Sequence, residues 1–131
     1  MPTMANLALK NNAAAAVVGT ALSPSAGDNV AAQWRVETAK PPFARPKLWL
    51  SARSNQKNDA RRVSIKIEVP FTVTNSTTSL EEPVSKILFT GELVVGTQIP
   101  SSVSDDAVAY VSSFFADAGV IAALKAQIAP N

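Results

Sequence analysis

The feature that most constrains the fold of this chain is a period-two alternation of apolar and polar residues between positions 47 and 69. The alternation occupies two runs, residues 47–53 and 62–69, which a polar stretch separates. Successive side chains of a β-strand point to opposite faces, so each run has one apolar and one polar face. The two runs predict a long antiparallel hairpin with one buried face and one polar face. The predicted polar face contains Lys47, Trp49, Ser51, Arg53, Arg62, Ser64 and Lys66.

Further strands are predicted by shorter runs at residues 7–10, 16–18, 30–37 and 86–95. A turn at Asn11 and Asn12 would join the first two, because asparagine tolerates the positive φ of tight hairpin turns. Trp34 and Phe89 lie on the apolar sides of their strands and are predicted to be core residues. The patterns therefore indicate about six strands.

The C-terminal part of the chain changes to helical spacing. Ser104 is predicted to cap a helix, and Asp105 and Asp106 suit the positive end of its dipole. Apolar residues then recur three and four positions apart, at Val108, Val111, Phe114, Phe115 and Ala118. Gly119 is predicted to stop this helix, and a second short helix would end before Pro130. Strands followed by helices predict the α+β class, without βαβ units.

Composition excludes several classes of protein. With 131 residues, 47% of them hydrophobic, the chain fits one ordered domain. The absence of cysteine and histidine excludes disulfides, thiol catalysis and the usual zinc sites. Asp105 and Asp106 are better explained by capping than by catalysis, and no phosphate loop or nucleophile elbow is present, so no catalytic residue, metal, cofactor or small-molecule substrate is predicted. No apolar run approaches the ~20 residues of a membrane span and no signal peptide is recognisable, so we expect a soluble, unexported protein without a membrane partner.

Basic residues are concentrated in the middle of the chain. Residues 35–66 contain nine basic and two acidic residues, whereas the rest contains three basic and eight acidic ones. Such segregation favours a polyanionic partner, and an ordinary solvated basic surface is the alternative that composition leaves open. Lys57 and Arg61, at the predicted hairpin tip, are interpreted as solvated.

An ordered set of segments carries a family resemblance. It comprises the N-terminal hairpin, Asp-Asn-Val-Ala-Ala-Gln-Trp at 28–34, Ile-Lys-Ile-Glu-Val-Pro at 65–70, Glu-Pro-Val at 82–84, Glu-Leu at 92–93 and the two acidic-capped helices. In this order and at these spacings the chain resembles, over essentially its full length, the coat protein of small single-stranded RNA bacteriophages of the levivirus type.

The resemblance implies an architecture and an assembly. A single domain, 1–131, would contain an N-terminal hairpin (1–22), a five-stranded sheet (29–99) and two helices (104–129). Two subunits would form an intertwined homodimer with a ten-stranded sheet, each laying its helices across the other. The helix residues implied at this interface are Val111, Phe114, Phe115, Ile121 and Leu124. Dimers would assemble into an icosahedral shell through a loop made of Asn75, Ser76, Thr77, Thr78, Ser79, Leu80, Glu81, Glu82 and Pro83.

The resemblance also implies a function. The sheet's polar face would bind and package genomic single-stranded RNA, and an RNA stem-loop bound there would make the protein a repressor of replicase translation. The residues implied are Trp49, Ser51, Arg53, Asn55, Arg62, Ser64, Lys66, Leu88, Thr90 and Glu92. Leu88 departs from a tyrosine that the family often uses for stacking, and Trp49 is the candidate replacement. The expected location is the virion capsid, assembled in the bacterial cytoplasm. The alternative is a small dimeric nucleic-acid-binding regulator that forms no shell.

Overall fold

The structure is a computed structural model, which describes residues 3–130. The chain divides into two compact units, one ending at Val94 and the other starting at Val95. The strands are β1 (Leu7–Lys10), β2 (Ala16–Ser23), β3 (Ala32–Val36), β4 (Lys47–Ser54), β5 (Ala60–Thr74) and β6 (Glu81–Gly96). A single 3₁₀ turn, Pro42–Ala44, precedes β4. The helices are α1 (Ser101–Ala116) and α2 (Ala118–Ala126).

The six strands form one antiparallel sheet in sequence order, so β1 and β6 are its edge strands. Strands followed by helices confirm the predicted α+β class. The sheet has the six strands that the alternation patterns predicted, two in the N-terminal hairpin and four after it.

The central hairpin has the predicted alternation. Leu50 lies opposite Ile65, and Trp49 lies opposite Lys66, so the apolar and polar residues of β4 and β5 segregate to different faces. The turn between the strands is closed by Asn55, whose Oδ1 accepts hydrogen bonds from the backbone N–H groups of Asp59 (2.9 Å) and Ala60 (3.4 Å).

The first hairpin turn lies where it was predicted, but asparagine has a different role in it. The residue with positive φ is Ala14, at 59°. Asn11 instead accepts hydrogen bonds through Oδ1 from the N–H groups of Ala13 and Ala15, both at 3.0 Å. A side chain that satisfies two backbone donors stabilises the turn even though its own backbone is not left-handed.

Very little of the chain is buried. The buried positions within residues 3–130 are Gly19, Ala32, Ala44 and Thr72. Leu50 and Ile65, on the face predicted to be buried, are 39% and 38% exposed. The prediction of a buried apolar face is therefore wrong for the single chain. The physical reason is that the first unit is one sheet with no second layer of its own, and a sheet face needs such a layer.

The helix boundaries differ from those predicted. Ser104 does not cap α1, which starts at Ser101; its Oγ donates to the Ser101 carbonyl oxygen at 2.9 Å. Gly119 does not stop α1 but lies within α2. The break is at Asp117, where Oδ2 accepts the N–H of Val120 at 3.1 Å and satisfies an otherwise unpaired donor of α2.

Between residues 3 and 130 no single helix is long and apolar enough to cross a bilayer. The pair formed by α1 and α2 meets that test only jointly, across a bend of 60°.

Candidate nucleic-acid interface

The polar surface of the sheet is assembled by cross-strand register. Trp49 of β4 lies opposite Gln33 of β3 on one side and Lys66 of β5 on the other. Directly opposed residues share a face of a sheet. Six residues predicted to bind RNA are brought together in this way: Trp49, Ser51, Arg53, Arg62, Ser64 and Lys66.

Strand β6 adds three more of the predicted residues. Arg62 Nη1 lies 3.1 Å from Glu92 Oε1, which places Glu92 beside the face. An open depression of about 370 Å³ is lined by Ser64, Lys66, Thr90 and Glu92 together with Ile65 and Gly91. Leu88 alternates in phase with Thr90 and Glu92 and is half exposed. These nine residues, without Asn55, are called the polar face below.

Asn55 differs from the other predicted residues because it follows the end of β4. Its side chain is occupied by the turn: Oδ1 accepts two backbone N–H groups, and Nδ2 donates to Asp59 Oδ1. A second open depression, of about 600 Å³, adjoins it at the hairpin tip and is lined by Arg53, Ser54, Asn55, Gln56, Lys57, Asp59 and Arg62. A contact between Asn55 and RNA stays a prediction.

Ion pairs offset part of the positive charge. Arg62 pairs with Glu92, and Lys66 Nζ lies 3.8 Å from Glu68 Oε2. Within residues 3–130, Lys47 and Arg53 make no ion pair. Lys47 has Glu68 as its cross-strand neighbour, whereas Arg53 lies opposite another cation, Arg62, and is exposed, so the charge of Arg53 is available to an anionic partner.

Four residues of this surface were missed from the sequence. Gln33 and Arg35 lie opposite Trp49 and Lys47, and the alternation of β3 around Trp34 could have identified them. Glu68 lies opposite Lys47, and Lys86 Nζ lies 3.9 Å from Glu68 Oε2. Sequence alternation could assign Glu68 to the polar side of its strand, but its partners depend on register.

The two tryptophans lie on opposite faces. Trp49 is on the polar face, where Lys66 Nζ lies 4.8 Å from the ring centroid, within cation–π distance. Trp34 is on the apolar side, opposite Leu48, and its Nε1 donates to the Ala5 carbonyl oxygen at 2.9 Å. It is only partly buried, so its predicted place in a core is not fulfilled by this chain alone.

Asp28 attaches the loop before β3 to the hairpin tip. Its Oδ2 accepts the N–H of Ser54 at 3.1 Å, and Arg61 Nη1 lies 3.1 Å from both carboxylate oxygens. The Ser54 N–H and the Arg61 guanidinium hold the pKa of Asp28 below its usual value. Arg61 is exposed, as predicted, and its guanidinium also binds this carboxylate and the Ser54 hydroxyl.

The predicted assembly loop is shorter than expected. Residues 75–80 form the loop, whereas Glu81, Glu82 and Pro83 belong to β6. Asn75 organises it: Oδ1 accepts the N–H groups of Thr77 (2.8 Å) and Thr78 (3.2 Å), and Nδ2 donates to Glu82 Oε1 at 2.8 Å. The loop is a hydrogen-bonded turn rather than an unstructured polar segment.

A network of hydrogen bonds connects the residues at the base of this loop. The Thr72 hydroxyl, in a residue only 5% exposed, accepts a hydrogen bond from Lys40 Nζ (3.1 Å) and donates one to Glu81 Oε2 (2.6 Å). Thr74 Oγ1 donates to Glu81 Oε1 at 3.1 Å. Hydrogen bonds from Thr72 and Thr74 lower the pKa of Glu81, with a contribution from Lys40. The network links β5, β6 and the segment before β4.

The helical unit, taken by itself, has an apolar stripe. Its exposed members include the five predicted interface residues, Val111, Phe114, Phe115, Ile121 and Leu124. The rings of Phe114 and Phe115 pack edge to face, with centroids 5.6 Å apart. Exposed aromatic and aliphatic side chains at helical spacing are typical of a helix face that another surface covers.

Titratable groups do not form a metal site in the described part of the chain: no group of three or more His, Cys, Asp or Glu residues is placed to hold an ion.

One family model and several solved structures are similar to this chain. The family model of the levivirus coat protein matches residues 2–129. Similar solved structures include the virus-like particle of bacteriophage NT-214 (18% identity, 99% of this chain and 100% of that chain covered, TM-score 0.84). The virus-like particle of Beihai levi-like virus 21 is similar too (15% identity, 99% and 98% covered, TM-score 0.78), as is the protein capsid of bacteriophage GA (23% identity, 95% of each chain covered, TM-score 0.70). A search of curated proteins returned no match.

Proposed function

The chain belongs to the levivirus coat protein family, and we propose that two copies form a dimer, that dimers assemble into an icosahedral shell, and that the polar face binds the single-stranded RNA inside. A capsid role follows from the family itself. The dimer, the RNA and the shell geometry are our proposal, which rests on the surfaces described above.

The exposed apolar surface supports the dimer. Leu50 and Ile65 on the sheet and Phe114 and Leu124 on the helices are each more than a third exposed. Burying apolar area contributes about 25 cal/mol per Å², so a chain that leaves such side chains in water gains much of its stability by association. Strand β6 is also an unpaired edge of 16 residues, and pairing with its copy would remove an aggregation hazard.

The loop at residues 75–80 supports assembly beyond the dimer. Its closed, polar turn projects no apolar side chain except Leu80, which is 65% exposed. A compact turn that presents one apolar residue suits a small, reversible contact between subunits. Similar structures are virus-like particles by their printed descriptions, which is consistent with this role.

The polar face carries the proposal of RNA binding. It combines cations with hydroxyl groups and an aromatic ring on one rigid sheet surface. Cations of that kind neutralise phosphates, whereas hydroxyls and rings contact bases that are not stacked in a duplex. Arg53, which is exposed and makes no ion pair within residues 3–130, is the cation of this face most available for phosphates. We propose that the same face also binds a stem-loop in a manner that represses replicase translation.

A paired substitution tests the RNA role. Arg53→Ala with Lys66→Ala should lower the RNA recovered from purified particles and flatten the salt dependence of binding by about 1.4, since each phosphate contact contributes about 0.7 to the slope for single strands. The matched control is Lys10→Ala with Lys125→Ala, which removes the same charge from exposed positions outside the polar face. Intact particles with unchanged RNA content in the first variant would contradict the role of the polar face.

Electron microscopy of the purified wild-type protein tests the shell. Uniform closed particles are expected. Discrete dimers at all concentrations would contradict the proposal of a shell and favour a small dimeric regulator. If particles form, sequencing the RNA recovered from them shows whether one stem-loop is enriched. Enrichment is expected if the protein binds one stem-loop to repress translation.

A further inference from the structure

The loop before β3 binds the edge of β4 beyond the point where the strand ladder stops. Strand β3 itself pairs with β4 only as far as Leu50. Farther along β4, the N–H of Asn29 donates to the Ala52 carbonyl oxygen at 3.2 Å. The next donor on this edge, the N–H of Ser54, is bound at 3.1 Å by a side chain, the carboxylate of Asp28. Asp28 therefore takes the place of a strand backbone at the end of β4.

The same carboxylate binds the neighbouring strand. Arg61 of β5 is the cross-strand partner of Ser54, and these two residues form the last pair before the hairpin turn. Arg61 Nη1 lies 3.1 Å from both carboxylate oxygens of Asp28 and 2.9 Å from the Ser54 hydroxyl oxygen. One loop residue thereby joins the ends of both strands. Asp28, Ser54 and Arg61 are called the clamp below.

The pair of residues next to the clamp is electrostatically unfavourable. Arg53 lies directly opposite Arg62, and both belong to the polar face. Like charges directly opposite each other in a sheet destabilise the pairing of their strands. Arg62 pairs with Glu92 at 3.1 Å, but Arg53 makes no ion pair in the described part of the chain. Because successive residues of a strand point to opposite faces, the clamp acts from the other side of the sheet and offsets this repulsion.

On the basis of the proposed RNA-binding role, we propose that Asp28 is a positioning residue for the two arginines of the polar face. Each strand residue of the clamp is the chain neighbour of one arginine: Ser54 follows Arg53, and Arg61 precedes Arg62. By holding the two strand ends together, the clamp fixes the spacing at which the arginines meet phosphates. RNA then binds a hairpin end that is already closed, so binding does not have to order it first.

Two substitutions of opposite charge separate positioning from net charge. Asp28→Ala makes the protein more positive and Arg61→Ala makes it less positive, yet each breaks the clamp. Each should weaken binding of a labelled uridine oligonucleotide by about 2- to 5-fold in fluorescence anisotropy, because the closed hairpin end is less populated. The slope of affinity against salt should be the same as in wild type, since the phosphate contacts are the same.

The matched controls make the same two charge changes elsewhere. Asp105→Ala and Lys10→Ala alter exposed positions outside the polar face and the clamp. At 0.15 M salt, charges more than about 8 Å apart are largely screened. Both control variants should therefore bind the oligonucleotide as the wild-type protein does.

Amide hydrogen exchange tests the opposition between the clamp and the arginine repulsion. Asp28→Ala should accelerate exchange at residues 54–60 by about 5- to 30-fold, from the loss of one hydrogen bond and one exposed ion pair. Adding Arg53→Ala should slow this exchange again, because the repulsion is removed. A clamp with a general structural role would show no such rescue. Asp28→Asn keeps an oxygen acceptor for the Ser54 N–H and replaces Asp28→Ala if that variant fails to fold.

The outcomes distinguish the clamp from the wider RNA role. Tighter binding in Asp28→Ala together with weaker binding in Arg61→Ala would show an effect of net charge and overturn the positioning role. Unchanged affinity in both variants, or no rescue of exchange by Arg53→Ala, would overturn it as well. Absence of oligonucleotide binding by the wild-type protein would overturn the RNA role of the polar face itself, and the positioning role with it.

Discussion

The hydrogen bonds of Thr72 with Lys40 and Glu81, at the base of the 75–80 loop, give the sharpest test of how the sheet is stabilised. Thr72 is 5% exposed, and its hydroxyl bonds two charged groups, Lys40 Nζ at 3.1 Å and Glu81 Oε2 at 2.6 Å. Thr72→Val replaces the hydroxyl with a methyl group of similar shape. The change therefore removes both hydrogen bonds while leaving the side-chain volume nearly unchanged.

The expected cost follows from the burial of Thr72. Hydrogen bonds to charged groups contribute about 1.5–3 kcal/mol each when they are buried. The side chains of Lys40 and Glu81 are 45% and 24% exposed, so water can replace part of what each of them loses. Losing the Thr72 hydroxyl should therefore lower the free energy of unfolding by about 1–2 kcal/mol per subunit.

Urea denaturation at fixed protein concentration measures this loss, since association contributes to the stability of any oligomer. Amide hydrogen exchange should show faster opening at residues 75–80 in the variant. Thr74→Val is the matched control: it also removes a hydroxyl bonded to Glu81, but from an exposed position, and should change stability by less than about 0.5 kcal/mol. Equal effects of the two substitutions, or unchanged exchange in the loop of Thr72→Val, would refute the assigned role of the buried hydroxyl.

Three further outcomes are expected. The pKa of Glu81 is lowered from 4.5 by the hydrogen bonds from Thr72 and Thr74. The contribution of ionised Glu81 to stability is therefore complete above about pH 4.5 and is lost as the pH falls through the lowered pKa of the folded state. Exchange at 75–80, corrected for intrinsic rates, should then accelerate below pH 4.5 in wild type; an equal pH response in Glu81→Gln would contradict this. Phe114→Ala should weaken the proposed dimer by about 3–5 kcal/mol per subunit in analytical ultracentrifugation if the ring is buried there. Ser112→Ala is an exposed control on the same helix, and equal dissociation of both variants would argue against that helix face. Deleting residues 76–79 should preserve the dimer and disturb the shell, and normal particles in the electron microscope would count against the loop.

Local pattern predicted much of the fold. Alternation between positions 47 and 69 gave the central hairpin and its two faces, because side-chain direction in a strand depends only on residue parity. Helical spacing gave α1 and α2. The helix end predicted at Ser104 was wrong because α1 begins after Pro100 without a side-chain cap, and the end predicted at Gly119 was wrong because Asp117 caps α2 there.

The sequence predicted which residues make up the polar face but only part of their spatial arrangement. Parity placed the cations, hydroxyls and Trp49 on one side of their strands. The roles of these residues toward RNA stay predictions. Asn55 was included from the resemblance, but its side chain closes the turn, and a turn's hydrogen bonds cannot be inferred from alternation.

The sequence by itself determined the order of elements, the faces of each strand and the concentration of basic charge, because each depends on residues close together in the chain. Tertiary structure alone decided which residues from different strands became neighbours. Trp49 lies opposite Lys66, and the Thr72 hydroxyl accepts a hydrogen bond from Lys40, which is 32 positions away in the chain. The physical reason is register: a shift of one residue between β4 and β5 would leave every local pattern intact and separate these pairs.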